Sequence, residues 1–413
     1  MSNMSNLSNN LIHKIVKNCF NLYEELPKNG KPVEREWTVL SCIIMYNRYT
    51  RSLEVASLGT GSKCIGASKM APTGLILNDS HAEVFARRGF LLYLYDNITR
   101  ALKHEHSIFR NDNGQLKLYD GIEFIFYSSQ LPCGDASIIR GGEEHFGDVL
   151  KVEKRKADDE PCDIEVKKQK SDNGVHRTGA KCLPHCEQDS KDPQVVDQLL
   201  GQVRTKPGKG DKTLSVSCSD KIAKWIHLGI QGSLLDMLIE PVHIRHFIFG
   251  GGVPYSKESL KRALLNRTGS SLLKIDLVPE FYQTSLVFPH VCSDENIRPA
   301  PGSIIWSRSY NLTAEVAVQG KKLGATKKNA SLPRSGLCIS KFWLYKRFVN
   351  ILNNNEDFKL KICGAENIEC VPYNKMKRKS TRYITKWSKI KEKFFKTWTT
   401  KPDMWNFCIN EMT

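Results

Sequence analysis

His81 and Glu83 stand two residues apart in "NDSHAEVFARRGF" (Asn78–Phe90), where an apolar run gives way to a helical pattern. An imidazole can ligate a metal, and a carboxylate beside it can carry a proton without being a ligand. One histidine at a helix start is ordinarily no more than a satisfied side chain. The pair gains meaning from two cysteines, Cys133 in "QLPCGDASII" and Cys218 in "SVSCSDKIAKW". Each of the three stands at an expected strand-to-helix junction. Three N/S donors leave a tetrahedral zinc with its fourth position open for water, as a catalytic zinc requires. Helix N-termini favour thiolates, which lowers the cost of deprotonating both cysteines.

The elements that must position these residues follow from periodicity. Leu11, Ile12, Ile15, Val16 and Phe20 predict an amphipathic helix over Leu11–Tyr23. "WTVLSCIIMYN" and "LEVASLGTGSKC" predict strands joined by a short turn, and "GLILN" (Gly74–Asn78) a short buried strand. Asp79 and Ser80 are good N-cap residues, which puts His81 in or near the first turn of a helix. "GIEFIFYSSQLPCGDASII" repeats the scheme, with a strand at Ile122–Tyr127 and a helix opening at Pro132–Asp135. A third strand leads to Cys218, with Ser219 and Asp220 able to cap the helix after it. "VHIRHFIFG" and "SIIWSRS" predict further strands, and "CISKFWLYKRFVNIL" a late helix. The expected fold class is α/β, with the site at helix N-termini, and no internal repeat is found.

Lys+Arg 61 against Asp+Glu 44 leaves a net charge of +17, which points to a polyanionic partner, nucleic acid first. No charged start followed by an apolar core marks a signal peptide, and no apolar run is long enough to span a membrane. An intracellular protein with reduced thiols is expected. A charged, aromatic-poor insertion is expected to be disordered at about 150–174 and again at 187–202. Its clusters Lys154-Arg155-Lys156 and Lys167-Lys168 with Lys170 resemble a two-part nuclear import signal, although a solvated linker explains them as well.

Zinc nucleobase deaminases combine a His/Cys/Cys set with H-x-E and P-C elements. This chain has H-A-E and P-C-G-D, but no second cysteine closely follows the first, so the third ligand must be distant. A rival cluster, Cys182, His185 and Cys186 in "KCLPHCE", could hold a second metal but shows no fourth ligand.

With these residues assembled, the chain resembles the family of adenosine deaminases that act on RNA. "LNDSHAEVFARRGFL", "LPCGDASI" and "SCSDKIAKWIHLGIQGSLL" are similar to that family's deaminase-domain motifs, and the resemblance covers essentially the whole chain. It implies one deaminase domain over residues 1–413. The fold implied is a cytidine-deaminase-like core, a mixed sheet flanked by helices, elaborated by a C-terminal region that encloses an inositol polyphosphate. It implies zinc on His81, Cys133 and Cys218, and a proton shuttle at Glu83 that converts adenosine to inosine. It further implies a structural inositol hexakisphosphate held by Asn78, Arg87, Arg88, Lys221, Lys224, Lys341, Tyr373, Lys377, Tyr383, Trp398 and Lys401. Lys386 falls one position away from another such lysine. Since like charges cannot share a buried site uncompensated, that cluster makes sense only around a polyanion. Lys221 lies three residues from Cys218, so the two sites should be neighbours.

The catalytic motif begins about 80 residues in, so no double-stranded-RNA-binding domain is expected before it. "HRTGAKCLP" (His176–Pro184) is similar to a segment of the tRNA-acting branch. That branch implies adenosine 37, beside the anticodon of alanine tRNA, as substrate, with neither DNA nor membrane as partner. Two other readings remain: a deaminase of other structured or messenger RNA, and an RNA-binding protein with an inactive deaminase fold. Intact His81, Glu83, Cys133 and Cys218 argue against inactivity, and a free-adenosine deaminase would not need the surplus charge. In the lysine-rich segment from Val371 to Lys401, Tyr383, Trp387, Ile390 and Phe394 keep helical spacing and read as core.

Overall fold

The computed structural model describes residues 6–112, 115–140, 175–192, 195, 197–208, 210–267, 275–293, 296–309, 314–326, 328–329 and 332–410. Eight strands form the central sheet: β1 (Leu40–Asn47), β2 (Leu53–Thr60), β3 (Ile122–Ser128), β4 (Ile244–Phe249), β5 (Glu280–Gln283), β6 (Gly302–Ser307), β7 (Glu315–Val318) and β8 (Lys321–Lys322). Their order across the sheet is β5-β4-β3-β1-β2-β6-β7-β8. β3, β4 and β5 run parallel to one another, and every other pair is antiparallel. The register pairs Leu40 with Thr60 and Ser41 with Ser128, so β2 and β3 end at the same edge.

The strands alternate between two cores, as a sheet covered on both faces must. Cys42, Ile44, Ile125 and Tyr127 face helix α1 (Asn9–Glu25), whose Ile12, Ile15, Val16 and Tyr23 are buried. Ile43, Ala56, Phe124 and Phe126 face the other way, into a larger core with α2 (Ala82–Leu102), α3 (Cys218–Leu228) and α4 (Lys341–Asn353). α2 is buried over nearly its whole circumference, because the sheet covers one side and the C-terminal helices the other. Its approach to β2 needs Gly59, where a Cβ would lie 2.5 Å from Ala86 N. Ser57 and Ser307 hydroxyls tie the helix down by donating to Ala86 O and Gly89 O, each at 2.8 Å. The last helix used below is α5 (Thr381–Ile390).

Five local expectations are corrected. "GLILN" is irregular chain, because Gly74 turns at φ +71 and Leu77 N–H bonds Gly320 O instead of a strand neighbour. The short ladder there joins Asp79–His81 to Ser62–Cys64, and His81 itself is the N-cap of α2. No helix opens at Pro132: Gly134 has φ +107, outside helical space, and only one turn follows at Asp135–Ser137. Ser217, not Ser219 or Asp220, caps α3, accepting from Asp220 N. Before it, an isolated bridge from Thr205 to Val216 replaces the expected strand.

The first stretch of the charged insertion, with both lysine clusters, lies outside the described residues. In the second, the described residues form no helix or strand but are tethered through Asp189 and Gln198. Among the described residues no helix is long and apolar enough to cross a membrane.

Candidate active site and the adjoining cationic cavity

The edge where β2 and β3 end carries the site. His81 arrives on the ladder that leads into α2, Cys133 on the loop after β3, and Cys218 as the first residue of α3. Their ligand atoms all lie within 4.8 Å of one another, and His81 Nδ1 is 3.6 Å from Cys218 Sγ. One imidazole and two thiols converging from three elements fit a zinc ion. The Cys182, His185 and Cys186 trio forms no such group among the described residues, and His185 Nε2 instead meets Thr397 Oγ1 at 2.8 Å.

Glu83 is in the first turn of α2 and 3% exposed, and its Oε2 has no hydrogen-bond partner among the described residues. Burial pushes its carboxyl up, against the pull of His81 and Lys206. A hydrogen bond from the Cys218 thiol, helped by Lys206, holds Cys133 well below the ordinary thiol range, while burial and then Cys133 push Cys218 up. The Cys218 backbone N–H also donates to Cys133 Sγ at 3.3 Å.

Lys206 and Asp79 were not picked out as site residues from sequence. Lys206 is fully buried, 3.1 Å from Cys218 Sγ and 2.8 Å from Asp79 Oδ2. Burial alone would pull its amine down, but Asp79 and both cysteines hold it well above the usual range. Asp79 also bonds Lys221, and the two lysines keep its carboxyl well below the usual range despite burial. Cys218, Lys206, Asp79 and Lys221 therefore form one hydrogen-bonded line leading outward from the His81, Cys133 and Cys218 group.

That line ends in a cavity of about 330 Å³. Asn78, Arg87, Arg88, Lys221, Lys224, Lys341, Tyr373, Lys377, Tyr383, Trp398 and Lys401 all line it. Lys386 does not, since it pairs with Asp276 at 2.5 Å. Seven cations converge there, and among the lining residues Asp79 is the single carboxylate. Burial, then Lys377, Arg87 and Lys401, push the Lys224 amine well down. Lys341 is lowered in the same way by burial and Arg88, and Lys401 falls to about 8. Burial takes Arg88 to about 10. Aromatic faces compensate in part: Lys224 Nζ sits 3.5 Å from the Trp387 ring centre and Lys341 Nζ 4.0 Å from that of Trp405. Both side-chain polar atoms of Asn78 lack a partner among the described residues.

The adenosine-deaminase (editase) domain profile matches residues 57–402. The protein called tRNA-specific adenosine deaminase 1 in Drosophila melanogaster is 37% identical, over 95% of this chain and 95% of its own length. The protein of that name in Homo sapiens is 30% identical over 94% of this chain and 98% of its own. The double-stranded RNA-specific editase Adar of Drosophila melanogaster is 32% identical, over 60% of this chain and 34% of its own length.

Proposed function

Because the chain belongs to the adenosine-deaminase (editase) family, we propose that it deaminates adenosine 37 of alanine tRNA to inosine, using one zinc ion and a structural inositol hexakisphosphate. The observation that carries this reading is the convergence of His81, Cys133 and Cys218 within 4.8 Å, with the buried Glu83 two residues from the histidine. Relatives matched over nearly their full length are called tRNA-specific, which supports tRNA over other RNA. The "HRTGAKCLP" segment supports position 37.

His81, Cys133 and Cys218 would hold the zinc, which supplies a nucleophile near neutral pH by acidifying water. Glu83 does the proton work. Its Oε2 accepts the proton lost as oxygen adds to C6 of adenine, passes it to N1, and then serves the amine that leaves. Water and adenosine become inosine and ammonia. Burial of Glu83 keeps bulk water from competing for that oxygen. An anticodon-loop base costs less to extract than a paired one, which suits a site closed in this way. The cavity lysines and arginines would bind phosphates rather than substrate, since they line a cavity between α2, α3 and the C-terminal segment. With a tRNA substrate and free cysteines throughout the described chain, the enzyme would act in the cytoplasm or nucleus.

The test is inosine formation at position 37 of an alanine tRNA transcript by the wild type beside Glu83→Ala. Inosine from the wild type alone is expected. A folded, zinc-loaded wild type that leaves adenosine 37 untouched would sink the substrate assignment. Metal analysis should return one zinc per chain, and denaturation should release inositol hexakisphosphate.

A further inference from the structure

The chain between Cys133 and Cys218 contains a run of buried polar side chains that the deamination chemistry leaves unused. Thr178 is nearly buried, and its hydroxyl accepts the Gly134 N–H at 2.9 Å, one residue beyond Cys133. Gln198 grips the backbone of Thr178 from both sides: Oε1 accepts Thr178 N–H at 2.7 Å and Nε2 donates to Thr178 O at 3.1 Å. The same Nε2 also donates to Asp189 Oδ2 at 3.1 Å. Asp189 in turn takes a bidentate pair from Arg204, NH1 to Oδ2 at 2.6 Å and NH2 to Oδ1 at 2.7 Å. Arg204 is 0% exposed, and its backbone joins the cap of α3. Its N–H donates to Asp220 Oδ2 at 3.0 Å, and its carbonyl accepts Ser217 N–H at 2.7 Å. Ser217 Oγ donates to Asp220 Oδ2 at 2.6 Å and caps the helix that begins with Cys218.

We propose that Thr178 is a positioning residue for the metal centre, the end of a clamp through buried Gln198, half-buried Asp189 and buried Arg204 that holds the Cys133 loop against the first turn of α3. The loop needs such a hold. Gly134 sits at φ +107, where a Cβ would lie 2.2 Å from Ser217 Oγ, so the two ligand-bearing segments meet without room to spare. No regular strand or helix carries Cys133, so its position depends on bonds to its neighbours. Ser219 supplies one, its hydroxyl donating to Cys133 O at 2.9 Å and accepting Ala136 N–H at 3.1 Å. Thr178 supplies the opposite side of the same loop. Partners of this kind orient ligands, and their removal typically costs roughly 10–100-fold in metal affinity or activity.

This inference rests on the reading of His81, Cys133 and Cys218 as zinc ligands, and the experiment separates the two. Wild type, Thr178→Val and Thr178→Ser are compared by zinc release into a chelator, by the cobalt–thiolate absorption of the cobalt-loaded protein, and by kcat and KM on the tRNA. Thr178→Val keeps the shape but removes the acceptor. It is expected to release zinc roughly tenfold faster, shift the cobalt–thiolate bands and lower kcat with KM unchanged. Thr178→Ser restores the acceptor and should restore metal retention and the bands. Equal zinc retention in Thr178→Val and wild type would overturn the clamp, as would a serine variant as defective as the valine. Should Thr178→Val fail to fold, Gln198→Met, which leaves the threonine in place and removes its support, carries the same expectations. A wild type that binds no zinc overturns the metal reading and the clamp with it. A wild type that binds zinc but spares the tRNA overturns only the substrate, and the release rates and spectra still decide the clamp.

Discussion

The two faces of Asp79 differ in how buried charge is answered. On the metal side each buried cation has an anion of the protein's own: Lys206 meets Asp79 and Cys218, Arg204 meets Asp189, and Arg267 meets Asp220. On the cavity side six more cations, Arg87, Arg88, Lys224, Lys341, Lys377 and Lys401, converge beyond the one carboxylate that Lys206 and Lys221 already share. Buried charge left unpaired is strongly destabilising. The metal side therefore balances its charge within the protein, whereas the cavity side keeps an excess of positive charge that the proposed polyanion would neutralise. Chemistry and folding are assigned to adjacent but separate charge systems.

The largest effect that would separate them is on turnover. Glu83→Gln should lower kcat by roughly 10²–10⁴ while leaving zinc content and the unfolding midpoint unchanged, whether or not inositol hexakisphosphate is present. A drop in midpoint would show that Glu83 belongs to the structural system as well. Next come two lysine replacements read by urea unfolding. Lys206→Met leaves Asp79 with Lys221 as its one remaining cation and should destabilise by up to about 3–5 kcal/mol with or without added inositol hexakisphosphate. Lys224→Met removes a repelled cation, so it should leave the ligand-free protein as stable as the wild type or more so. The same variant should lose much of the stabilisation from added polyanion, which for a fully competent site reaches about 4 kcal/mol at a thousandfold excess over Kd. Identical responses from the two variants would abolish the distinction drawn here.

A smaller effect concerns pH. The Lys401 amine, lowered to about 8, binds fewer protons in the folded chain than in the unfolded chain between there and the ordinary lysine value. Stability of the ligand-free protein should therefore rise with pH through that window, by up to about 1.4 kcal/mol per unit for this one group. A bound polyanion favours the charged amine and should flatten the rise. A second pH effect, of similar size, serves as a control away from the cavity. Burial, then Lys386 and Arg267, lower His227 to about 4. The unfolded chain thus binds more protons from there up to the ordinary histidine value. Stability should climb with pH across that range, equally with and without polyanion, and His227→Phe should reduce the climb.

The proposed metal ligands and Glu83 were legible because their chemistry demands particular residue types, and the elements bearing them end at one edge of the sheet. The apolar runs of β1 and β3 were equally readable as strands, and the apolar face of α1 from its period. The cavity was different. Its eleven residues come from segments as distant as Asn78 and Lys401, and only a family resemblance placed them together before the fold did. Lys206 was missed because it sits in "RTKPGKGDK", whose composition reads as the end of a solvated insertion. Nothing local marks a lysine whose amine will be sealed between an aspartate and a thiol. The helix expected at Pro132 failed for a backbone reason, since its one glycine adopts a conformation that a helix cannot continue. The strand expected over "GLILN" failed because Leu77 N–H bonds Gly320 O, far along the chain.

The enclosure of α2 has a consequence in the order of synthesis. Every donor atom of the metal group, and Glu83, has left the ribosome once residue 218 emerges. The helix that carries Glu83 still has one flank bare, because Lys341, Tyr373, Tyr383 and Lys401, which close that side, are translated last. A nascent chain therefore passes through a stage that is chemically complete and only half clothed. A premature stop codon between residues 323 and 340 would arrest it there, with the sheet side of α2 covered and its cation-bearing flank exposed.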